Sequence, residues 1–164
     1  MINLLILDVD GVLTDGGIIY DEKGLETKRF NVKDGLGIKV AQKAGVEIAI
    51  ISGRKSKVTD LRMEELGIKY VYTGIKDKLK CYEDLISELG IKDENVAYMG
   101  DDLNDMALLN RVELSATVAD SFDYMKENVK FVATRSGGNG AVRELIEEIL
   151  ERNGLWSEIK KSFF

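Results

Sequence analysis

The chain has no histidine and no proline among its 164 residues, and its only cysteine is Cys81. The lack of histidine excludes Ser-His-Asp and Cys-His catalysis and disfavours zinc sites, because these depend on imidazole groups. A single cysteine excludes an internal disulfide and agrees with a reducing compartment. Any chemistry must therefore come from carboxylates, lysine, arginine and hydroxyl groups.

The sequence also lacks an excess of positive charge and a long apolar run. Its net charge of -6 and pI near 4.9 disfavour a surface for nucleic acid or anionic membranes. No apolar run approaches membrane-spanning length, and the first residues enter a predicted strand rather than a signal peptide. We therefore expect a soluble cytoplasmic protein that builds one core in a single domain over residues 1–164.

The stretch 4–17, LLILDVDGVLTDGG, places two carboxylates at the end of an apolar run. Such a run, bounded by turn residues, is typical of a central strand in a parallel sheet, and ligands bind beyond the carboxyl ends of these strands. Asp8 and Asp10 lie at that end and can reach one pocket. Two close carboxylates suit Mg2+, or one can attack phosphorus while the other transfers protons.

This stretch has two other interpretations. A solvated turn is one alternative, since Asp and Gly are common in turns. A calcium loop that starts at Asp8 is disfavoured, because its sixth and twelfth positions are Leu13 and Ile19 instead of Gly and Glu.

Two later positions carry groups suited to an anion. Ser52 and Gly53 follow the strand predicted at 46–51 and offer a hydroxyl and backbone N–H groups to a phosphate, unless Ser52 only caps the next helix. Lys78 lies in the first turn of another predicted helix, where a cation opposes the helix dipole. A nearby phosphate or carboxylate cluster would explain this lysine, and solvent exposure is the alternative.

A second oxygen-rich cluster follows the strand predicted at 95–99. Asp101, Asp102, Asn104 and Asp105 lie within five residues at a strand-to-helix turn. Their oxygens suit a hard cation. The same residues could instead cap the helix predicted at 106–110.

Strands and helices alternate along the chain, which predicts an α/β sandwich with a mainly parallel sheet. The segment of about 16–32 is predicted to be a projecting β-hairpin, with strands at 18–20 and 26–30. Its apolar residues, and those of the C-terminal tail of about 153–164, need a cover that a partner subunit or the domain would provide. The glycine-rich segment 136–140 lacks the features of a nucleotide-binding loop and is interpreted as an ordinary loop.

These motifs occur together in a fixed order: Asp-x-Asp, then Ser, then Lys, then Gly-Asp-Asp, each expected at one edge of the sheet. The combination resembles the haloacid dehalogenase superfamily of phosphohydrolases over nearly the whole chain. The strings DVDGVLTDG, FNVKDGLG, IISGRKS, GIKDKL, GDDLND and GGNGAVREL are similar to its capless branch of octulosonate phosphatases. The resemblance implies a three-layer Rossmann-like sandwich without a cap domain, and a homotetramer whose hairpins associate and whose C-terminal tails cover neighbouring sites.

The same resemblance implies a role for each candidate residue. Asp8 would be the nucleophile, and Asp10 would be the general acid/base. The phosphate would be bound by Ser52, Gly53 and Lys78. Mg2+ would be bound by the Asp8 side chain, the Asp10 carbonyl and Asp101, with support from Asp102 and Asp105. The rest of the substrate would be contacted by Arg54, Lys33, Asp34 and Asn104.

Arg54 bears on the choice of substrate within this branch. Phosphatases of nine-carbon keto-sugar acids tend to carry an acid after the Gly of this motif, whereas those of the eight-carbon sugar resemble this chain in having arginine, and a guanidinium suits a carboxylate. We therefore expect a Mg2+-dependent phosphatase of an eight-carbon sugar acid 8-phosphate, acting through an aspartyl-phosphate in lipopolysaccharide precursor synthesis. The alternatives are a nine-carbon 9-phosphate substrate or a non-catalytic oligomerisation domain.

The chain departs from the family where Arg135 and Ser136 precede the glycine pair, since a proline is frequent there.

Overall fold

The computed structural model describes residues 1–164, and it contains eight strands and seven α-helices. The strands are β1 (Leu4–Leu7), β2 (Ile19–Tyr20), β3 (Glu26–Thr27), β4 (Glu47–Ile51), β5 (Tyr70–Tyr72), β6 (Val96–Met99), β7 (Leu114–Thr117) and β8 (Phe131–Val132). The helices are α1 (Val32–Lys43), α2 (Lys57–Glu65), α3 (Lys78–Leu89), α4 (Met106–Leu109), α5 (Asp123–Lys126), α6 (Ala141–Arg152) and α7 (Trp156–Lys161).

Six strands form one parallel sheet in the order β5-β4-β1-β6-β7-β8. The chain moves outward from β1 through β4 to β5, then returns to the other side of β1 to add β6, β7 and β8. The direction of strand addition therefore reverses beside β1, and such a switch point opens a crevice at the carboxyl ends of the strands. The prediction of a central first strand in a mainly parallel sheet is confirmed.

The sheet is covered on both faces, which explains why β1 is apolar without interruption. Leu5 and Leu7 pack into the larger core layer with buried residues of α1, α2 and α6. Leu4 and Ile6 point to the opposite layer, which contains buried residues of α3 and α4. This arrangement is the predicted three-layer sandwich, and only the small β2-β3 hairpin lies between β1 and α1.

The hairpin is shorter than predicted, because β2 and β3 pair over only two residues each. Ile18, Ile19 and Tyr20 are more than half exposed, as expected for a projecting element. Phe30 was expected among these exposed apolar residues, but it packs against the main core, with the Arg62 guanidinium 5.9 Å from its ring centroid.

The C-terminal tail is partly docked on its own domain. Leu155, Trp156 and Ile159 pack against the core layer that contains α1 and α6. Phe163 and Phe164 remain exposed. None of the helices is long and apolar enough to cross a membrane.

Candidate active site

A polar pocket of about 240 Å³ lies at the carboxyl ends of β1, β4 and β6. No hydrophobic residue lines it. Its lining consists of Asp8, Asp10, Gly16, Ser52, Gly53, Arg54, Asp101, Asp102 and Asn104. The parallel sheet therefore brings together the ends of three strands, and any two of these ends are more than forty residues apart in the sequence.

The loop after β1 holds the first carboxylate in a fixed orientation. Asp8 is buried, and its Oδ1 accepts a hydrogen bond of 2.8 Å from the Val9 backbone N–H. Gly11 has a φ of 83°, and a side chain there would collide with the carboxylate of Asp101. Glycine is thus required both for the backbone conformation and for the close approach of the two acidic loops.

Lys78 lies between two buried carboxylates. Its Nζ is 3.2 Å from Asp8 Oδ2 and 2.7 Å from Asp105 Oδ1, and its side chain is 4% exposed. Burial alone would lower the pKa of Lys78, but the adjacent charges of Asp8 and Asp105 offset this effect and raise it. The ammonium group is therefore charged, and the alternative of a solvent-exposed lysine is wrong.

Asp105 organises the inner side of the pocket. Its Oδ1 accepts from Lys78 and from the Tyr98 hydroxyl, and its Oδ2 accepts from the N–H groups of Asp101 and Asp102 at 2.9 and 3.3 Å. Asp102 Oδ1 accepts a hydrogen bond of 2.7 Å from the Leu103 N–H, so it caps the short helical turn 103–105 that follows β6. The helix predicted at 106–110 corresponds to α4, which has no side-chain cap, so the alternative that this cluster caps that helix is wrong.

The carboxylates of Asp8, Asp101 and Asp105 lie so close that they disfavour full ionisation. One oxygen from each lies within 4.8 Å of the others. Burial and the charge of Asp105 raise the pKa of Asp8 to about 6, and burial and the charge of Asp8 raise the pKa of Asp101 to about 7. A divalent cation would remove this repulsion, so the donor set fits a metal that prefers oxygen ligands.

The outer side of the pocket is built by the hairpin. Asp10 forms an ion pair with Lys28, and its Oδ1 is 3.7 Å from Arg54 Nη1. Glu26 binds the same two cations, at 3.6 Å from Lys28 Nζ and 3.0 Å from Arg54 Nη2. Tyr20 accepts a further hydrogen bond of 3.2 Å from Arg54. Lys28 is not predicted as a site residue from the sequence, because nothing in the local pattern distinguishes it from the other hairpin lysine, Lys23.

The remaining predicted phosphate-binding residues lie in the pocket. Ser52 is buried and lines it together with Gly53. The helix after β4 begins at Lys57 with Ser56 in the N-cap position, so the alternative of a cap by Ser52 is wrong. Asn104 lines the pocket on the opposite side.

Two predicted substrate contacts lie elsewhere. Lys33 lines a separate surface cavity with Arg135 and Arg143. Asp34 is buried and accepts a hydrogen bond of 2.9 Å from the Arg143 backbone N–H, which joins α1 to the start of α6. Within one chain the structure does not bring Lys33 or Asp34 to the pocket, and their role in substrate binding stays a prediction.

The glycine-rich segment 136–140 supports the loop that carries Asp8 and Asp10. The Gly138 N–H donates to the Val12 carbonyl at 3.0 Å, and the Gly137 N–H donates to Asp120 Oδ1 at 2.9 Å. A side chain at Gly137 would collide with the Gly11 carbonyl, and one at Gly138 would collide with Thr14. These glycines permit two loops to pack backbone against backbone.

Comparison with known proteins agrees with this geometry. The family model for haloacid dehalogenase-like hydrolases matches residues 71–145. The 3-deoxy-D-manno-octulosonate 8-phosphate phosphatase of Escherichia coli is 46% identical over 159 residues, which are 97% of this chain and 85% of the relative.

Solved structures of similar phosphatases superpose over nearly the whole chain. The Moraxella catarrhalis 3-deoxy-D-manno-octulosonate 8-phosphate phosphatase, in complex with a magnesium ion, a phosphate ion and a KDO molecule, has a TM-score of 0.96 and 39% identity, and the match covers 99% of this chain and 94% of that one. A cobalt-bound phosphatase from Haemophilus influenzae has a TM-score of 0.91 and 41% identity, with 95% and 91% covered. The chain is therefore a phosphatase of the haloacid dehalogenase-like hydrolases and belongs to their family of 3-deoxy-D-manno-octulosonate 8-phosphate phosphatases.

Proposed function

We propose that this protein hydrolyses 3-deoxy-D-manno-octulosonate 8-phosphate to the free sugar acid and phosphate, with Mg2+ as its cofactor. The observation that carries the proposal is the pocket in which Asp8, Lys78 and Asp101 meet beside Ser52 and Arg54. A similar phosphatase binds magnesium, phosphate and the sugar acid together. The pocket here has the charges needed for each of these three ligands.

The acidic cluster fits Mg2+ with a division of roles. The Asp8 side chain, the Asp10 carbonyl and Asp101 would hold the ion. Both oxygens of Asp105 already accept hydrogen bonds, so Asp105 acts as a support, and Asp102 acts with it through the capped turn. Bound Mg2+ supplies positive charge that reduces the repulsion between the carboxylate of Asp8 and an anionic phosphate.

Hydrolysis would proceed in two steps on the residues of this pocket. The Asp8 carboxylate attacks phosphorus while Asp10 gives a proton to the departing sugar oxygen, which leaves an aspartyl-phosphate. Asp10 then takes a proton from water, which attacks phosphorus and releases Asp8. Lys78 fixes the orientation of Asp8 and, together with Ser52 and the Gly53 N–H, stabilises charge on the phosphoryl oxygens.

Arg54 is proposed to select the sugar acid by its carboxylate. Its Nη1 atom has no hydrogen-bond partner, although Nη2 is paired with Glu26. The Arg54 side chain lines the pocket and is 36% exposed, and a guanidinium in this place suits a carboxylate of the substrate. Asn104 can contribute from the same rim, whereas Lys33 lies in a separate surface cavity and Asp34 is buried, so neither reaches the pocket of its own chain.

The proposal extends to the assembly and setting of the enzyme. We propose that residues 1–164 act as one phosphatase domain, and that the exposed apolar residues Ile18, Ile19 and Tyr20 associate in a homotetramer. The exposed Phe163 and Phe164 would then cover the pocket of a neighbouring subunit. The resemblance to octulosonate phosphatases supports a cytoplasmic role in lipopolysaccharide precursor synthesis.

The decisive test is phosphate release from 3-deoxy-D-manno-octulosonate 8-phosphate with and without Mg2+, using Asp8→Asn as the control. We expect release that needs both the metal and Asp8. Preference for a nine-carbon keto-sugar-acid 9-phosphate would overturn the substrate and retain the chemistry. No release from either sugar phosphate or from an aryl phosphate would favour a non-catalytic oligomerisation domain. A monomer in light scattering would overturn the proposed assembly.

A further inference from the structure

We propose that Lys28 is a positioning residue for the general acid/base, acting on the reaction through its ion pair with Asp10. This inference rests on the proposed function, because it assigns a task to Lys28 in the step that protonates the departing oxygen. The observation behind it is the burial of a lysine side chain against a carboxylate of the pocket.

Lys28 is exceptional within the hairpin. It is the only buried residue between Asp15 and Asn31, although this segment also contains the apolar residues Ile18, Ile19 and Leu25, which are exposed. Its side chain is 1% exposed. A lysine is normally the last residue of such a segment to be buried, because removing its charge from water is costly unless the charge is paired.

Two carboxylates compensate the buried charge of Lys28. The ammonium group contacts Asp10 directly and lies 3.6 Å from Glu26 Oε1. Glu26 is held in turn by Arg54 Nη2 at 3.0 Å. Asp10 is thus bound by a cation that is itself fixed between two carboxylates and cannot move freely with solvent.

The geometry differs on the two sides of the pocket. Asp8 is held by the Val9 N–H of its own loop and by Lys78 at the start of α3, a helix that packs on the sheet. The carboxylate of Asp10 is 22% exposed and is bound only by side chains, of which Lys28 makes the closest contact. Without Lys28, the remaining charged partner of Asp10 would be the partly exposed side chain of Arg54, whose Nη1 is 3.7 Å away and makes no hydrogen bond to it. The carboxyl group of Asp10, which gives and takes the proton, would then vary in position. A small displacement of such a group has a large effect on rate.

Two substrates with different leaving groups distinguish a positioning role of Lys28 from a purely structural one. An alkyl oxygen of a sugar needs a proton from Asp10 as it departs, whereas a nitrophenolate departs without one. The ratio kcat/KM reports the steps up to departure of the alcohol. We expect Lys28→Met to lower kcat/KM about 100-fold for the sugar phosphate, the scale of general acid catalysis, and by less than about threefold for p-nitrophenyl phosphate.

Two further variants show whether the effect passes through Asp10. In an Asp10→Asn background, Lys28→Met should cost less than about threefold with the sugar phosphate, because the group that it positions is already absent. Lys28→Arg should recover most of the loss, since it retains a cation. The control is Lys23→Met, which removes an exposed lysine from the same hairpin and should leave both substrates unaffected.

The possible outcomes separate this inference from the proposed function. Equal losses on both substrates, or the same loss with and without Asp10, would overturn the positioning role and leave Lys28 as an anchor of the hairpin. If the wild-type protein ignores the octulosonate phosphate but hydrolyses another alkyl phosphate, the substrate proposal fails. The same comparison is then made with that alkyl phosphate, because the inference depends only on the leaving group.

Discussion

The two walls of the pocket are built in different ways. The inner wall consists of Asp8, Lys78, Asp101 and Asp105, which stand at the ends of core strands or in a helix that packs on them. The outer wall consists of Asp10, Glu26, Lys28 and Arg54, and two of these belong to a hairpin with only two residues in each strand.

This difference separates the groups that act on the phosphoryl group from those that act on the departing sugar. The inner wall is fixed by the sheet, so it can hold like charges close together and concentrate the field that a phosphoryl group needs. In the outer wall, Asp10 and Arg54 line the pocket with side chains that are 22% and 36% exposed, so they can contact the part of the substrate that varies between related phosphatases. We therefore expect substitutions in the inner wall to lower the reaction rate on every phosphate ester and to affect stability, and substitutions in the outer wall to have effects that depend on the leaving group or on the sugar.

The largest effect is expected for Lys78→Met. Loss of the buried cation leaves Asp8 and Asp105 uncompensated, so kcat should fall by at least about 10³-fold and the free energy of unfolding by about 3–5 kcal/mol. Activity assays and urea denaturation of the metal-free protein measure the two effects. Lys80→Met is the matched control, because this lysine of the same helix forms only an exposed ion pair with Asp84. Equal behaviour of the two variants would contradict the division between the walls.

An intermediate effect is expected for Arg54→Gln in the outer wall. Removal of the guanidinium should raise KM for the sugar acid phosphate about tenfold, because one charge-assisted contact with the substrate carboxylate is lost. The kcat/KM for p-nitrophenyl phosphate, which has no carboxylate, should change by less than about threefold. Arg54→Lys should recover only part of the loss, since a lysine lacks the planar fork. A similar loss on both substrates would place Arg54 with the inner wall.

The inner wall should also produce a dependence of stability on pH. In the folded chain the pKa values of Asp8 and Asp101 are raised from 3.8 to about 6 and about 7. The folded state therefore holds more protons than the unfolded state between about pH 4 and pH 7, and the contribution of these groups to stability is lost as pH rises through this window. Melting temperatures in a chelator should show this decline.

Metal and substitution sharpen the same measurement. Saturating Mg2+ should raise the melting temperature most at the upper end of the window, where both carboxylates are ionised and the ion binds them best. Asp101→Asn should flatten the pH profile of the metal-free protein. A profile that rises with pH in the chelator would show that the close carboxylates do not repel one another as the geometry indicates.

The smallest effect on chemistry is expected for Ile19→Lys in the hairpin. Ile19 is exposed and contributes little to the core of its own chain, so the melting temperature of the fold should change by only a few degrees at most. The charge should prevent association of hairpins, and light scattering should show smaller species. Activity should decline about threefold, because the outer wall loses the support of its neighbours. A tetramer that survives this substitution would place the interface elsewhere.

Several elements follow from local sequence with little ambiguity. The helix α6 follows from the apolar pattern of residues 141–152, because its buried Val142, Leu145, Ile146 and Ile149 recur at helical spacing. The strand β1 was predicted from its uninterrupted apolar run, and the structure shows core on both of its faces. The hairpin strands were overestimated, since few cross-strand or core contacts hold them and alternation alone sets no length.

The sequence by itself determined the chemical groups of the pocket and the edge at which they gather. Carboxylates, Ser52 and Lys78 follow predicted strands or begin a predicted helix, and parallel strands bring such positions to one edge. Only the tertiary structure decided which charges meet. Lys28 reaches Asp10 across a hairpin, Tyr98 donates to Asp105 from within the core, and Gly137 packs on Gly11 from a distant loop. These contacts depend on the relative placement of separate elements, and neither periodicity nor turn chemistry specifies that placement.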